Sequence, residues 1–176
     1  MKRKSIKQRV FAAFLAASMV TLSGYAQYIT KAGTYNIKAS NVSSTSYSPL
    51  IIESTSESTN ITLNIQGNIT VNSSKALIYV TSPCNLTING NGYTIKNSGS
   101  ANVIHNPGAA KITITGGTLI NATTEGPAVN NTNGGTITIT GGKISGYRAL
   151  QNSNSYAYIQ GGEIGETNQS TASYIS

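Results

Sequence analysis

The 176-residue chain has no tryptophan and no aspartate, one cysteine (Cys84), one histidine (His105) and four prolines. A single cysteine excludes an internal disulfide, so stability has to come from packing and hydrogen bonding. The acids are Glu53, Glu57, Glu125, Glu163 and Glu166 alone. Such a set lacks the clustered carboxylates on which acid–base hydrolysis and hard-cation binding depend, and no catalytic residue, metal site or cofactor is expected. Long apolar runs are also missing. The longest uncharged apolar stretch, Val10 to Leu22, falls well short of the ~20 residues of a spanning helix.

That stretch follows Lys2, Arg3, Lys4, Lys7 and Arg9 and precedes Gly24-Tyr25-Ala26, which is the layout of a secretory signal peptide. Cleavage near Ala26 is expected, leaving Gln27 first and placing the mature chain at the cell surface, in the periplasm or in the medium, with no transmembrane span. The formal charge of +7 belongs largely to this segment: five of the twelve Lys and Arg precede Gln27, and the remaining seven face five glutamates, a net +2. Without a basic patch, a nucleic-acid partner is not expected.

What the chain has in quantity is Ser (22), Thr (22), Asn (19) and Gly (18). Composition of that kind alone suggests disorder, but periodicity opposes it. Leu63-Asn64-Ile65-Gln66-Gly67, Leu86-Thr87-Ile88-Asn89-Gly90, Ile112-Thr113-Ile114-Thr115-Gly116, Ile137-Thr138-Ile139-Thr140-Gly141 and Ala157-Tyr158-Ile159-Gln160-Gly161 align, and their closing glycines return at near-constant intervals. Each unit alternates apolar and polar residues, the signature of a strand with one buried face. A second series follows the glycine corners at Val71, Ile95, Ile120, Ile144 and Ile164, with turn formers Asn72, Asn97, Asn121, Gly146 and Gly165 just beyond. A third runs through Ile51, Leu77, Val103, Val129, Leu150 and Tyr174.

A repeat of three short strands cannot bury an apolar face alone and must stack on its neighbours. The expected fold is all-β: a right-handed, single-stranded parallel β-helix of about five to six coils, on the order of 25 Å tall. Residues 60–176 carry the repeat, and 27–59 are expected to form an N-terminal cap or atypical first coil. The repeat reaches Tyr174, which suggests a truncated chain or an open last coil available for end-to-end self-association.

The words LTINGNGYTI (86–95), ITITGGTLI (112–120), TITITGGKISG (136–146) and YIQGGEI (158–164) resemble the right-handed parallel β-helix superfamily that includes pectate-lyase-like enzymes and many bacterial surface proteins. The resemblance implies two catalytic options, hydrolysis by clustered Asp or lyase chemistry with Ca²⁺ and a Lys or Arg base. With no Asp, neither set is complete. Lys111, Lys143 and Arg148 remain as cations for a uronate, Lys143 being expected to pair with Glu163 one coil on. His105 lacks an acidic orienter, and Cys84 is expected in the core.

If the aliphatic positions of the first strand point inward, their partners stack outside as two ladders: Asn64, Thr87, Thr113, Thr138, Tyr158 and Gln66, Asn89, Thr115, Thr140, Gln160. Thr and Asn in such ladders are sufficiently explained by strand propensity and stacking. The same neutral hydroxyl and amide face, beside Tyr93, Tyr147, Tyr156 and Tyr158, also suits glycans. Thr87, Asn89, Thr113, Thr115, Thr138, Thr140, Tyr158 and Gln160 are therefore the candidate binding residues. An ice-binding plane is a weaker reading, because only Thr113/Thr115 and Thr138/Thr140 carry the full Thr-x-Thr. The expected role is an exported, non-catalytic structural or adhesion module contacting polysaccharide or envelope glycan. The alternative is a fragment or divergent member of a polysaccharide lyase or glycoside hydrolase family.

Overall fold

The computed structural model describes residues 26–42, 47–54 and 56–166. The expected signal peptide, apart from Ala26, together with Tyr174 and the expected open end, lies outside the described residues. Strands follow one another along the chain: β1 (Gln27–Ile29), β2 (Gly33–Ile37), β3 (Leu50–Ile52), β4 (Asn60–Ile65), β5 (Ile69–Val71), β6 (Ile78–Val80), β7 (Asn85–Asn89), β8 (Thr94–Asn97), β9 (Ile104–Asn106), β10 (Lys111–Ile114), β11 (Thr118–Asn121), β12 (Pro127–Thr132), β13 (Thr136–Ile139), β14 (Lys143–Gly146), β15 (Arg148–Ser153), β16 (Tyr156–Ile159) and β17 (Glu163–Glu166). A single 3-10 turn at Ala39–Asn41 is the helical content of the described residues.

Three parallel sheets result. Sheet I is β2-β4-β7-β10-β13-β16, sheet II is β5-β8-β11-β14-β17, and sheet III is β1-β3-β6-β9-β12-β15. Each turn of the chain visits I, II and III in order, so each strand lies on its counterpart one turn earlier. The chain is a parallel β-solenoid, as the repeat predicts, with complete three-strand coils from β4 to β15 and partial ones on either side. Segment 27–59 is built into this stack: Tyr35 pairs with Leu63 and Ile51 with Tyr79. Sheet II has no strand there, and the 3-10 turn lies in the stretch of chain between β2 and β3.

The core is a set of aliphatic rows running through the stack. On sheet I, Ile61, Leu86, Ile112 and Ile137 form one row and Leu63, Ile88, Ile114 and Ile139 another. Sheet II contributes Ile69, Ile95, Leu119, Ile144 and Ile164, and sheet III Leu50, Ile78, Ile104, Val129 and Leu150. β-Branched residues dominate because they fit the pleated surface, and burying each such side chain stabilises by roughly 1.5–3 kcal/mol.

These rows correct the second and third sequence series in places. Leu119 rather than Ile120 points inward, and Ile69 rather than Val71 lies under Ile95. On sheet III, Ile51 faces outward beside Tyr79 while Leu50 is the inward partner of Ile78. Leu77 and Val103 are buried beside Ile78 and Ile104, because the chain bends into sheet III there and two successive side chains turn inward.

The asparagines expected as turn formers are a larger correction. Asn72 is exposed, but Asn97 and Asn121 close their strands with side chains fully inside. Bends between sheets bury backbone groups that no strand pairs, and an amide can bond several at once. The Asn121 Nδ2 donates to the carbonyls of Ala101 (3.1 Å) and Gly126 (2.9 Å), and its Oδ1 accepts from the Thr123 N–H at 3.0 Å. Asn97 does the same one coil earlier, accepting from the N–H groups of Ser73 and Gly99 and donating to the Ala101 carbonyl at 2.9 Å. At the next bend Asn106, Asn131 and Asn152 form a directed chain, each Nδ2 donating to the next Oδ1 at 2.9 and 2.7 Å.

Glycines mark the corner between sheets I and II for a steric reason. A Cβ on Gly90 would overlap the backbone of Gly116 and Gly117 in the coil above, whereas one on Gly67 would meet open space. Gly67, like Gly116, therefore does not share the constraint of Gly90. Gly90→Ala is expected to lower stability by about 1–3 kcal/mol and Gly67→Ala by much less. Paired urea denaturation curves check this, and equal effects at the two positions would contradict the stacked-corner account.

Candidate functional site

Because side chains alternate along a strand, each inward row of sheet I fixes an outward column beside it. Three columns result. The first is Asn60, Asn85, Lys111, Thr136 and Tyr156, and the second is Thr34, Thr62, Thr87, Thr113, Thr138 and Tyr158. The third starts with Asn36, Asn64 and Asn89. Backbone bonds from the N–H groups of Thr115, Thr140 and Gln160 to the carbonyls of Ile88, Ile114 and Ile139 carry it to the last coil.

All eight candidate residues lie on this face: Thr87, Thr113, Thr138 and Tyr158 in one column, Asn89, Thr115, Thr140 and Gln160 in the next. The first coil, however, is shifted by two residues from the expected ladders. Thr62, not Asn64, stands under Thr87, and Asn64, not Gln66, under Asn89. Aligning on the closing glycine caused the slip, since Gly67 is not packed under the next coil as Gly90 is. The correction lengthens the threonine column to five coils and reveals an asparagine ladder. Thr34, Asn36 and Thr62 belong to the face and were missed, although Thr34 and Asn36 do carry the alternation within Gly33–Ile37.

The ladders are hydrogen-bonded along the stack. Asn64 Nδ2 donates to Asn36 Oδ1 at 2.9 Å, Asn89 Nδ2 to Asn64 Oδ1 at 3.4 Å, and Asn85 Nδ2 to Asn60 Oδ1 at 3.0 Å. Thr140 Oγ1 donates back to the Ile114 carbonyl at 3.3 Å. The amides are thereby held in one orientation before any ligand arrives. Columns repeat every ~4.8 Å along the stack, and neighbouring columns lie ~6.7 Å apart along the strands. Lys111 is the only charged member. Of the four tyrosines considered, Tyr156 and Tyr158, 63% and 53% exposed, stand on this face at its last coil. Tyr93 and Tyr147 lie at corners, before β8 and between β14 and β15.

The remaining chemical candidates are dispersed. Lys143 Nζ meets Glu163 Oε1 at 2.7 Å with both side chains well exposed, the expected surface ion pair, worth little to stability. Cys84 is buried, and its burial pushes the thiol up to about 11, far from a reactive thiolate. His105 is half-buried on sheet III between Tyr79 and Asn130 in the outward column, its ring 5.3 Å from that of Tyr79 and tilted by 54°. Among the described residues no three His, Cys, Asp or Glu side chains are placed to share a metal ion, and no helix is long and apolar enough to cross a membrane.

Compared with known proteins, the chain matches no family model, no curated protein and no solved structure. The resemblance to pectate-lyase-like proteins thus rests on architecture, and the parallel β-solenoid is the part of it that the structure bears out.

Burial lowers the His105 pKa below its ordinary 6.5, so the folded chain binds that proton more weakly than the unfolded one. The resulting stability is complete above about pH 6.5 and is lost as pH falls through that value towards the depressed folded pKa. Replacing His105 with Gln is expected to flatten this acid limb. Melting temperatures at about pH 7.5 and 5 for both proteins check it, and identical acid dependence would refute the assignment to His105.

Proposed function

We propose that the chain is an exported, non-catalytic β-solenoid that contacts glycans through the outward face of sheet I, as a structural or adhesion-type module. The observation that carries this reading is the uninterrupted neutral lattice of the Thr34–Tyr158 and Asn36–Gln160 columns, spanning six strands with no charged side chain. Hydroxyl and amide groups at fixed spacing complement the hydroxyls of a sugar chain, and the tyrosine rings offer apolar faces to its C–H surfaces. Order already present in the Asn ladder reduces the side-chain entropy lost on binding.

The ice-binding reading gains from the five-threonine column but loses from its neighbour. Three coils there carry Asn36, Asn64 and Asn89, all three of whose amide oxygens accept bonds along the ladder. Catalysis is disfavoured by the dispersal of the glutamates, with Glu53 and Glu57 exposed in the β3–β4 connection, Glu125 exposed between β11 and β12, and Glu163 tied to Lys143.

Two measurements test the proposal. The chain is expected to be retained on immobilised neutral polysaccharide without releasing reducing or unsaturated ends; turnover would refute the non-catalytic part and favour a lyase or hydrolase. Amino-terminal sequencing of protein recovered outside the cytoplasm of an expressing bacterium is expected to begin at Gln27, and an intact amino terminus confined to the cytoplasm would remove the export claim.

A further inference from the structure

We infer that the bend between sheets III and I, at the tyrosine end of the face, forms a subsite for one neutral sugar ring; this rests on the glycan-contacting reading and gives it a location. A concavity of about 600 Å³ opens there, lined by Asn133, Gly134, Asn154, Ser155 and Tyr156. The concavity is shallow and open to solvent, so it would cradle one face of a ring and leave the other free.

The wall is built from two left-handed turns stacked one coil apart. Asn133 and Gly134 have φ of 58° and 87°, and Asn154 has 51°. The Gly134 N–H donates to the Asn154 carbonyl at 2.7 Å, the Asn133 N–H to the Ser153 carbonyl at 3.3 Å, and the Tyr156 N–H to the Gly135 carbonyl at 2.9 Å. Backbone bonds therefore hold the turns together, and the concavity exists without a ligand to shape it. Asparagine is one of the few residues other than glycine that readily takes this backbone conformation. Its presence at both tips has a local explanation, and what the amides then do is a separate matter.

That chemistry selects the ligand. Asn133 Nδ2 is partly engaged by the Pro107 carbonyl at 3.2 Å, and Ser155 Oγ donates to the Ser153 carbonyl at 3.0 Å. The Asn154 side chain bonds no other described residue, leaving two donors and an acceptor for hydroxyl groups. Tyr156 supplies an exposed aromatic face. An aromatic face beside amides is the complement of a pyranose, apolar on one side and ringed with hydroxyls. No lining residue is charged, so a carboxylate or phosphate would find no cation and an ammonium no carboxylate. Tyr156 and Tyr158 are neighbours on the same face of β16. A glycan with one ring in the concavity can therefore continue over Tyr158 onto the threonine and asparagine columns.

The test uses calorimetric titration of the chain and three variants with neutral mono- and disaccharides, matching uronate oligosaccharides and a long neutral polysaccharide. Asn154→Gly keeps the left-handed turn, because glycine accepts that φ, and removes only the amide. Tyr156→Ala removes the ring, and Thr87→Val alters the middle of the face away from the concavity. Each variant's cooperative melting is checked first. Short neutral saccharides are expected to bind the parent chain and to bind Asn154→Gly and Tyr156→Ala about fivefold to tenfold more weakly, while Thr87→Val is expected to weaken binding of the long polysaccharide. If the two subsite variants bind every saccharide as the parent does while Thr87→Val weakens polysaccharide binding, the subsite is wrong and the face reading survives. Preference for uronates overturns the neutral class, and a parent chain that binds no saccharide overturns both readings.

Discussion

Every coil of this protein has to turn three corners while lying on the coil beneath, and at those corners the backbone is buried without a strand to pair it. Leaving a buried donor or acceptor bare costs about 1–3 kcal/mol, so the architecture depends on how the bends are satisfied. Asn97 and Asn121 do this at the exit of sheet II, and Asn106, Asn131 and Asn152 at the exit of sheet III. At the entry to sheet II the solution is different: glycine removes the side chain so that Gly90 can lie against Gly116 and Gly117. With the corners settled, the aliphatic rows stack continuously.

The outward face is a consequence of this inward arrangement. Strand alternation ties each outer column to an inner row, so the stacking of Leu63, Ile88, Ile114 and Ile139 sets Thr62, Thr87, Thr113 and Thr138 one above another. A face of such regularity needs no selection for binding to exist, since Thr and Asn are ordinary occupants of stacked strands. What stacking alone does not call for is the replacement of Thr136 and Thr138 by two exposed tyrosines in the coil above. A large exposed ring contributes little to folding and offers much to a partner, which is why the functional reading concentrates at that end.

The interior asparagine chain is also asymmetric. Asn106 stands one coil above Val80, so its Oδ1 is buried without a hydrogen-bond partner while its Nδ2 is fully used. The switch from aliphatic residues in the early coils to amides in the later ones leaves one unsatisfied oxygen at the junction, a local cost that the surrounding rows of isoleucine and leucine absorb.

Sequence alone determined the class of fold, because a period-two alternation that keeps returning at near-constant intervals has few physical solutions, and it also determined that the Thr and Asn ladders beside that alternation would be neutral. The eight candidate residues were legible for the same reason: their positions follow from alternation within Leu86–Gly90, Ile112–Gly116, Ile137–Gly141 and Ala157–Gly161. Register in the first coil was not legible, since Gly67 resembles Gly90 as a letter but lacks a coil pressing on it. Nor was the inward direction of Asn97 and Asn121, because the same residue type serves an exposed turn and a buried bend. The concavity at Asn133, Asn154 and Tyr156 was decided by the tertiary structure alone. It arises where two turns separated by a whole coil of sequence are laid one on the other, and only the stacking of coils puts them there.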